Sequence, residues 1–303
     1  MQSQPQPQLA ALIKGTMFEG FLLVRASEQR SAQNGSKYLD MTLVDVSGEV
    51  NAKMWDGAVQ PPKAGAVVKI RGMMQEYNNR PQMRVDKLRP ADDRDNYDMN
   101  ALVPCAPEPP EAMMEQLMAR AGAIADQELR AVVALRLEQA GDKLRYYPAA
   151  QKLHHAERSG LLHHVTTMLR AADAICAIYP QLDADLVAAG VMLHDLNKLT
   201  EMRADATGVV DDYTAEGLLL GHLVTGVGEI ERACEQVGAR EELKLMLCHM
   251  VLAHHDLPEY GSPRRPMFPE AEVLHIVDLL DARMFEMTRS LSGALPGAFT
   301  ERI

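Results

Sequence analysis

The chain has 303 residues, of which 47% are hydrophobic, and a formal net charge of −11. No apolar run approaches the length of about 18 residues that a membrane-spanning helix needs, and MQSQPQPQLAALIKG lacks the basic start and apolar centre of a secretory signal. The four cysteines form no CxxC pair, so we expect a cytoplasmic protein with free thiols and no membrane partner.

Charge and histidine are unevenly distributed along the chain. Residues 14–90 contribute +4 to the net charge of −11, and the other residues contribute −15. All ten histidines follow Tyr147. Because the length also exceeds that of a usual single core, we predict two domains with different tasks.

The first part of the chain predicts a small all-β barrel after a disordered Gln/Pro-rich tail over residues 1–13. Short segments rich in β-branched residues, separated by Gly, Pro and Asn, predict five strands at 21–26, 37–46, 49–55, 66–74 and 82–88. Five strands in residues 14–90 favour an oligonucleotide-binding (OB) barrel, whose loops 1–2 and 4–5 contact single strands.

Those two loops, SEQRSAQNGSK and QEYNNRPQ, contain basic residues and one tyrosine. Arg30, Lys37 and Arg80 could contact phosphates, and Tyr77 could stack on a base, which is the combination that single-strand binding uses. The alternative is that any small barrel carries basic loops and a surface tyrosine.

The second part of the chain predicts an all-α domain over residues 112–303. Residues 91–111 are acidic and then proline-rich, which is typical of a linker. Apolar periodicity predicts helices over 112–140, 160–179, 183–199, 214–237, 240–255 and 269–290.

Polar residues interrupt the apolar faces of these helices. They are His164, His194, Asp195, His222, His254 with His255, and Asp278. An unpaired buried polar group costs about 1–3 kcal/mol, so a series of them predicts that they share an ion. Imidazoles and carboxylates suit Mn²⁺, Fe²⁺, Zn²⁺ or Co²⁺, and the lack of placed thiolates argues against a structural zinc site.

Single members of the set have simpler explanations. His222 alone is more often a satisfied core histidine, and Asp278 could be a surface carboxylate, as we expect of Asp281. His163, His249 and His275 are predicted not to be ligands, because their neighbours fit the pattern better.

The order H…HD…H…HH…D resembles the HD superfamily of metal-dependent phosphohydrolases, and HDLNK is similar to its HD-x-G-K core. With the barrel segment FLLVRASEQRSAQNGSKYLDMTLVDVSGEVNAKMWDG and the later segments YTAEGLLLGHL and HMVLAHHDLPEYGSPRRPMFPEAEVLHIVDLLDARM, the chain resembles the YhaM-type 3′–5′ exoribonucleases over about residues 14–302. Family members usually extend beyond a segment such as GAFTERI, so the resemblance implies a further C-terminal segment.

The resemblance implies a divalent-metal site, with two ions, Mn²⁺ foremost. Its implied ligands are His164, His194, Asp195, His222, His254 and Asp278, with His255 as an alternative or additional ligand. Asp195 would bridge the ions, and Lys198 would neutralise charge on the phosphoryl group unless it is a solvated helix-end lysine.

Further residues follow from the same resemblance. Arg264 and Arg265 could guide the RNA backbone or could be exposed loop charges, and His154 and His155 are expected near the site without binding metal. Asn197 and Asp256 stand where the family commonly has glycine. Both residue types tolerate a left-handed backbone, so we expect the two turns to be preserved.

The implied function is hydrolysis of single-stranded RNA from its 3′ end to nucleoside 5′-monophosphates. Single-stranded DNA as a further substrate and a homo-oligomeric state both stay open. One rival is a phosphohydrolase of a free or cyclic nucleotide, which would still act without residues 1–90. The other is a non-catalytic single-strand-binding protein, against which the complete ligand set argues.

Overall fold

The computed structural model describes residues 6–32, 35–56, 59–78, 80–92, 94–292, 294, 297, 299 and 300. The chain divides into two compact units, Met1–Cys105 and Ala106–Ile303, and the division falls inside the predicted linker. Residues 1–5 of the predicted tail, and residues 33, 34 and 79 of the two predicted loops, lie outside the described residues.

The first unit contains a closed five-stranded barrel. Its strands are β1 (Met17–Ser31), β2 (Lys37–Asp45), β3 (Gly48–Met54), β4 (Val67–Tyr77) and β5 (Arg80–Pro90), in the order β1-β2-β3-β5-β4. Strands β3 and β5 pair in parallel and the other neighbours are antiparallel. The predicted OB barrel is confirmed.

Alternation along the strands builds the barrel core. In β2, Leu39, Met41 and Leu43 are buried while the residues between them are partly exposed. A strand directs successive side chains to opposite faces, so this period of two places one set inside the barrel.

Residues 6–13 were predicted to be disordered, but part of this segment packs against the barrel. Leu9 is buried against the barrel core, and its backbone N–H donates to Asp45 Oδ2 at 2.7 Å. The side chain of Gln6 pairs with the backbone of Phe21 at 2.7 and 2.8 Å. An apolar residue within a polar segment therefore fastens this part of the tail to the barrel.

The second unit is helical, as predicted. Its helices are α1 (Pro110–Gly122), α2 (Gln127–Ala140), α3 (Gly160–Ile178), α4 (Ala184–Leu193), α5 (Lys198–Glu201), α6 (Ala215–Val237), α7 (Glu241–Ala253) and α8 (Pro269–Ser292). A short hairpin, β6 (Met202–Ala204) and β7 (Val210–Tyr213), lies between α5 and α6. Within the described ranges, no helix is long and apolar enough to cross a membrane.

The predicted helix over 112–140 is two helices. Asp126 ends the connection between them, because its side chain accepts from Glu128 N and Leu129 N and so caps α2. Likewise, the predicted helix over 183–199 stops at Leu193 and resumes as the single turn α5.

Candidate metal centre and nucleic-acid interface

His194 and Asp195 lie at the end of a buried helix. Asp183 caps α4 through hydrogen bonds to Asp185 N and Leu186 N, and every residue from Leu186 to Leu193 is buried. The chain then turns directly after Leu193, and His194 and Asp195 are 0% and 2% exposed. The helix therefore delivers both side chains into the core.

The structure brings together the six predicted ligand residues, each delivered by its own helix or by the turn after it, with His194 and Asp195 sharing a turn. His164 comes from α3, His222 from α6 and Asp278 from α8, while His254 follows α7. A non-helical residue, Gly221 with φ 69° and ψ 166°, precedes His222 within α6. Glycine adopts this positive φ without a Cβ penalty.

Asp195 is at the centre of the cluster. Its Oδ1 lies 3.2 Å from His222 Nε2 and 3.7 Å from His254 Nε2. Its Oδ2 lies 3.4 Å from His194 Nε2 and 3.8 Å from His164 Nε2. Each carboxylate oxygen therefore faces a different pair of imidazoles.

Asp278 closes the cluster on the side of His164. Its Oδ1 lies 3.2 Å from His164 Nε2 and 4.0 Å from His194 Nε2. Burial favours the neutral carboxyl, but the contact with His164 outweighs it and holds the pKa of Asp278 well below its usual range. Asp278 therefore stays ionised.

The four imidazoles are oriented by acceptors on their Nδ1 atoms. His164 Nδ1 donates to Asp281 Oδ2 at 2.7 Å, and His222 Nδ1 donates to Glu201 Oε2 at 2.9 Å. His194 and His254 donate to the carbonyls of the residues three positions earlier, at 2.9 and 2.8 Å. Since these partners only accept, Nδ1 carries the hydrogen and a neutral ring has its lone pair on Nε2.

Within the described part of the chain, five buried atoms of the cluster have no hydrogen-bond partner. They are the Nε2 atoms of His164, His194, His222 and His254, and Oδ1 of Asp195. Leaving five such atoms unpaired is costly. A divalent cation accepts lone pairs from neutral imidazole and carboxylate, so the donor set fits a metal ion.

Protonation competes with metal at these nitrogens. Burial lowers the pKa of His254 to about 3, which keeps its ring neutral. Burial also opposes the charge on His164, but the carboxylates of Asp278 and Asp281 outweigh it and raise its pKa to about 9. A cation at His164 must displace that proton, so metal binding weakens at low pH.

Lys198 is buried, unlike a solvated helix-end lysine. Its Nζ lies 2.6 Å from Asp195 Oδ2. Burial alone would favour the neutral amine, but Asp195 reverses the effect and raises the pKa of Lys198. The side chain therefore stays an ammonium beside the cluster.

Asp281 was expected on the surface, and that expectation is wrong. It is 8% exposed, and its Oδ2 accepts from both His155 Nε2 and His164 Nδ1 at 2.7 Å. Asp281 follows Asp278 by three residues, so both lie on one face of α8. This spacing is the sequence signal that could have predicted the burial of Asp281. No comparable signal in the sequence indicated that Glu201 would bond His222.

Three further histidines, His154, His155 and His255, lie next to residues of the cluster. His154 has its ring centre 5.5 Å from that of His164, and His155 reaches Asp281. His255 donates through Nδ1 to Tyr260 O at 2.8 Å and lies among the groups around Asp195 that could hold an ion.

The three histidines predicted not to be ligands have other partners. His163 pairs with Glu157 at 2.8 Å, His249 Nε2 accepts from Met267 N at 3.0 Å, and His275 donates to His254 O at 2.8 Å. Arg264 and Arg265 are exposed on the loop after α7.

The two residues at family glycine positions differ from each other. Asp256 has φ 62°, which is the expected left-handed conformation. Asn197 has φ −76° and ψ −3°, so this position does not use the left-handed conformation that asparagine tolerates. The turn after Asp195 is right-handed and any residue type can adopt it.

On the barrel, aromatic and basic side chains form an outward surface. Tyr77 is 60% exposed and Trp55 is 57% exposed. The rings of Tyr38 and Trp55 lie 4.7 Å apart, and Lys53 Nζ lies 5.0 Å from the Tyr38 ring and 6.0 Å from that of Tyr77. We call these four residues the aromatic surface.

The predicted basic residues of the barrel differ in whether they are free to contact a nucleic acid. Arg80 and Lys37 are exposed. Arg30 is engaged by Glu28 and lies 3.3 Å from Asp40 Oδ2. Trp55, Tyr38 and Lys53 were not predicted, although each of them is next in sequence to a buried strand residue, so strand alternation turns it outward.

Comparison with known proteins matches both units. Residues 161–283 match the HD domain family, and residues 23–91 match the OB-fold nucleic acid binding domain family. The chain is 37% identical to the 3′-5′ exoribonuclease YhaM of Bacillus licheniformis over 95% of this chain and 92% of the relative. The protein of the same name from Bacillus subtilis shows the same identity and coverage.

A solved structure, the second OB-fold domain of replication protein A from Methanococcus maripaludis, aligns with a TM-score of 0.24 at 16% identity. It covers 30% of this chain and 98% of that chain.

Proposed function

The chain belongs to the YhaM family of 3′–5′ exoribonucleases, and on this basis we propose that it shortens single-stranded RNA from the 3′ end by metal-dependent hydrolysis. Each cycle breaks the P–O3′ bond of the last linkage. The phosphate stays on the released nucleoside 5′-monophosphate, water supplies the new oxygen on phosphorus, and the shortened strand gains a 3′-hydroxyl.

The observation that carries the proposal is the set of five buried, unpartnered atoms around Asp195. We assign His164, His194, Asp195, His222, His254 and Asp278 as metal ligands, with His255 as a further candidate. The two oxygens of Asp195 face different imidazole pairs, which supports our proposal that two ions would share this carboxylate. Mn²⁺ is our first choice because the family resemblance implies it, and Fe²⁺, Co²⁺ and Zn²⁺ are alternatives that suit imidazole and carboxylate donors.

Bound divalent ions supply an activated water and stabilise charge on the attacked phosphate. The chain's own residues then do the positioning. Asp281 and Glu201 fix the rings of His164 and His222 through Nδ1, which holds their Nε2 atoms towards Asp195. The Lys198 ammonium, 2.6 Å from Asp195, is placed to neutralise phosphoryl charge as the bond breaks.

The barrel is the proposed binding platform for the RNA strand. Base stacking on aromatic rings tolerates every sequence, and a cation between rings attracts the backbone. The aromatic surface combines both, with Lys53 lying between Tyr38 and Tyr77. Lys37 and Arg80 add exposed positive charge to the barrel, and Arg264 and Arg265 add it to the helical unit.

The test is the degradation of 5′-labelled single-stranded RNA with Mn²⁺, in parallel lanes with EDTA, a 3′-phosphorylated strand and single-stranded DNA. We expect a ladder that shortens from the 3′ end, is absent with EDTA, and is accompanied by 5′-monophosphates. Internal cuts would contradict the exonucleolytic direction, and intact RNA in every lane would reject the function. The DNA lane tests the second substrate.

A further inference from the structure

A buried arginine contacts the turn that carries the candidate metal ligands. Arg136 of α2 is 7% exposed, and its Nη2 donates to Asn197 Oδ1 at 2.9 Å. Its Nη1 donates to Glu229 of α6 at 2.9 Å. Arg136 therefore connects two long helices to the residue two positions after Asp195.

Asn197 is the residue immediately before the short helix α5. Its carbonyl accepts from Thr200 N and Glu201 N, each at 3.0 Å. A helix of one turn has too few hydrogen bonds to be stable by itself, so its position depends on anchors at its ends. The bond from Arg136 is a side-chain anchor at the start of α5, and the hydroxyl of Thr214 bonds the carbonyls of Thr200 and Glu201 at its end.

Both polar side chains that α5 directs to the cluster depend on that position. Lys198 lies 2.6 Å from Asp195 Oδ2, and Glu201 accepts from His222 Nδ1 at 2.9 Å. A shift of α5 would move the ammonium from its place and release the ring of His222. The Arg136 contact therefore acts on the cluster through Asn197.

The side chain of Asn197 is needed for this contact, whereas its backbone is ordinary. With φ −76° and ψ −3° the position does not require glycine. A glycine there, as in the HD-x-G-K pattern, would give Arg136 no acceptor. Asparagine in place of the family glycine therefore adds a hydrogen bond with Arg136 and does not strain the turn.

We propose that Arg136 and Asn197 form a positioning pair that sets α5, and with it Lys198 and Glu201, for metal binding and hydrolysis. This inference rests on the proposed function. A cavity of about 220 Å³ lies beside the pair, lined by Arg136, Asn197, Thr200 and Glu229 among others. It leaves room for substituted side chains at both positions.

The experiment uses variants of the full chain. Asn197→Leu removes the acceptor and keeps the branched shape of the side chain, Asn197→Asp keeps an acceptor, and Arg136→Met removes the donor. The matched control is Arg120→Met, because Arg120 is also largely buried and bonds Asp173, Asp185 and Ala184 O, away from α5. Mn²⁺ affinity is measured by calorimetry without RNA, alongside Tm and the kcat and KM for RNA.

We expect Asn197→Leu and Arg136→Met each to weaken Mn²⁺ binding about tenfold, in the range found for residues that orient metal ligands. The kcat should fall more than KM changes. The double variant should be no worse than either single one, since both remove the same contact. Asn197→Asp should stay within about threefold of wild type by the same reasoning, and Arg120→Met should lower Tm alone.

Two results would overturn the inference while leaving the proposed function intact. One is wild-type Mn²⁺ affinity in both single variants with Tm losses like that of Arg120→Met. The other is a double variant whose loss is the product of the single losses. A wild-type chain that binds none of Mn²⁺, Fe²⁺, Co²⁺ and Zn²⁺ would overturn the proposed function and this inference with it. Asn197→Gly, which removes the acceptor without adding bulk, replaces Asn197→Leu if that variant does not fold.

Discussion

Asp281→Asn should weaken metal binding although Asp281 is not itself a proposed metal ligand. Asp281 Oδ2 accepts from His155 Nε2 and His164 Nδ1, both at 2.7 Å, in a site where the carboxylate is 8% exposed. Burial favours the neutral acid, but these two bonds outweigh it and hold the pKa of Asp281 below its ordinary value. The carboxylate thus serves two imidazoles at once.

An asparagine at this position has one oxygen to accept and an NH₂ group that can only donate. Its oxygen can take the place of Oδ2 and accept from both imidazoles, but the amide is neutral, so both bonds lose the charge assistance that makes a carboxylate bond roughly twice as strong. A hydrogen bond to a charged group contributes about 1.5–3 kcal/mol and one to a neutral group about 0.5–1.5 kcal/mol, so we expect the two weaker bonds to lower the free energy of unfolding by about 1–3 kcal/mol. If His164 turns, its Nε2 no longer faces Asp195, and the loss of such an orienting partner weakens metal binding by about 10- to 100-fold.

Calorimetric titration with Mn²⁺ at fixed pH, together with urea unfolding of the metal-free protein, measures both quantities. Asp212→Asn is the matched control, since Asp212 is an exposed carboxylate paired with Arg203 at 3.3 Å. Unchanged Mn²⁺ affinity in Asp281→Asn, with a loss of stability alone, would refute the orienting role of Asp281.

Three further predictions follow from single residues. Lys198→Met should lower kcat on RNA by about 100-fold or more at saturating Mn²⁺; steady-state rates with retained Mn²⁺ binding in calorimetry check it, and a normal kcat would contradict it. Trp55→Ala should cost about 1–3 kcal/mol of RNA binding. Since Trp55 is the one tryptophan of the chain, quenching of its fluorescence by RNA in the wild type is the direct readout, and no quenching would remove it from the interface. Asp256, at φ 62°, should lose about 1 kcal/mol of stability when changed to Ala and little or none when changed to Gly; urea unfolding of both variants measures this, and equal losses would contradict it.

The clustering of the six candidate ligands could be predicted because helical periodicity decides which side chains face the core. His164, His222 and Asp278 each interrupt an apolar stripe, so burial followed from the pattern. Strand alternation with turn residues likewise gave the barrel. In both cases a local period determines which face is buried.

The features that were missed depend on contacts distant in sequence. Asp281 lies on the same face as Asp278, but the residues that hold it inside, His155 and His164, lie 126 and 117 positions earlier. The break at Asp126 had a local capping signal, whereas the right-handed backbone of Asn197 did not. The side chain of Asn197 accepts a hydrogen bond from Arg136, which lies 61 positions earlier in the chain.

The central claim is that the five unpartnered atoms around Asp195 hold divalent metal. The most direct measurement is the metal content of the purified chain after Mn²⁺ loading and gel filtration, by inductively coupled plasma mass spectrometry, for the wild type and Asp195→Asn. The account predicts about two Mn²⁺ per wild-type chain and a loss of most of it in the variant. Equal metal content in the two proteins, or none in the wild type, would contradict it.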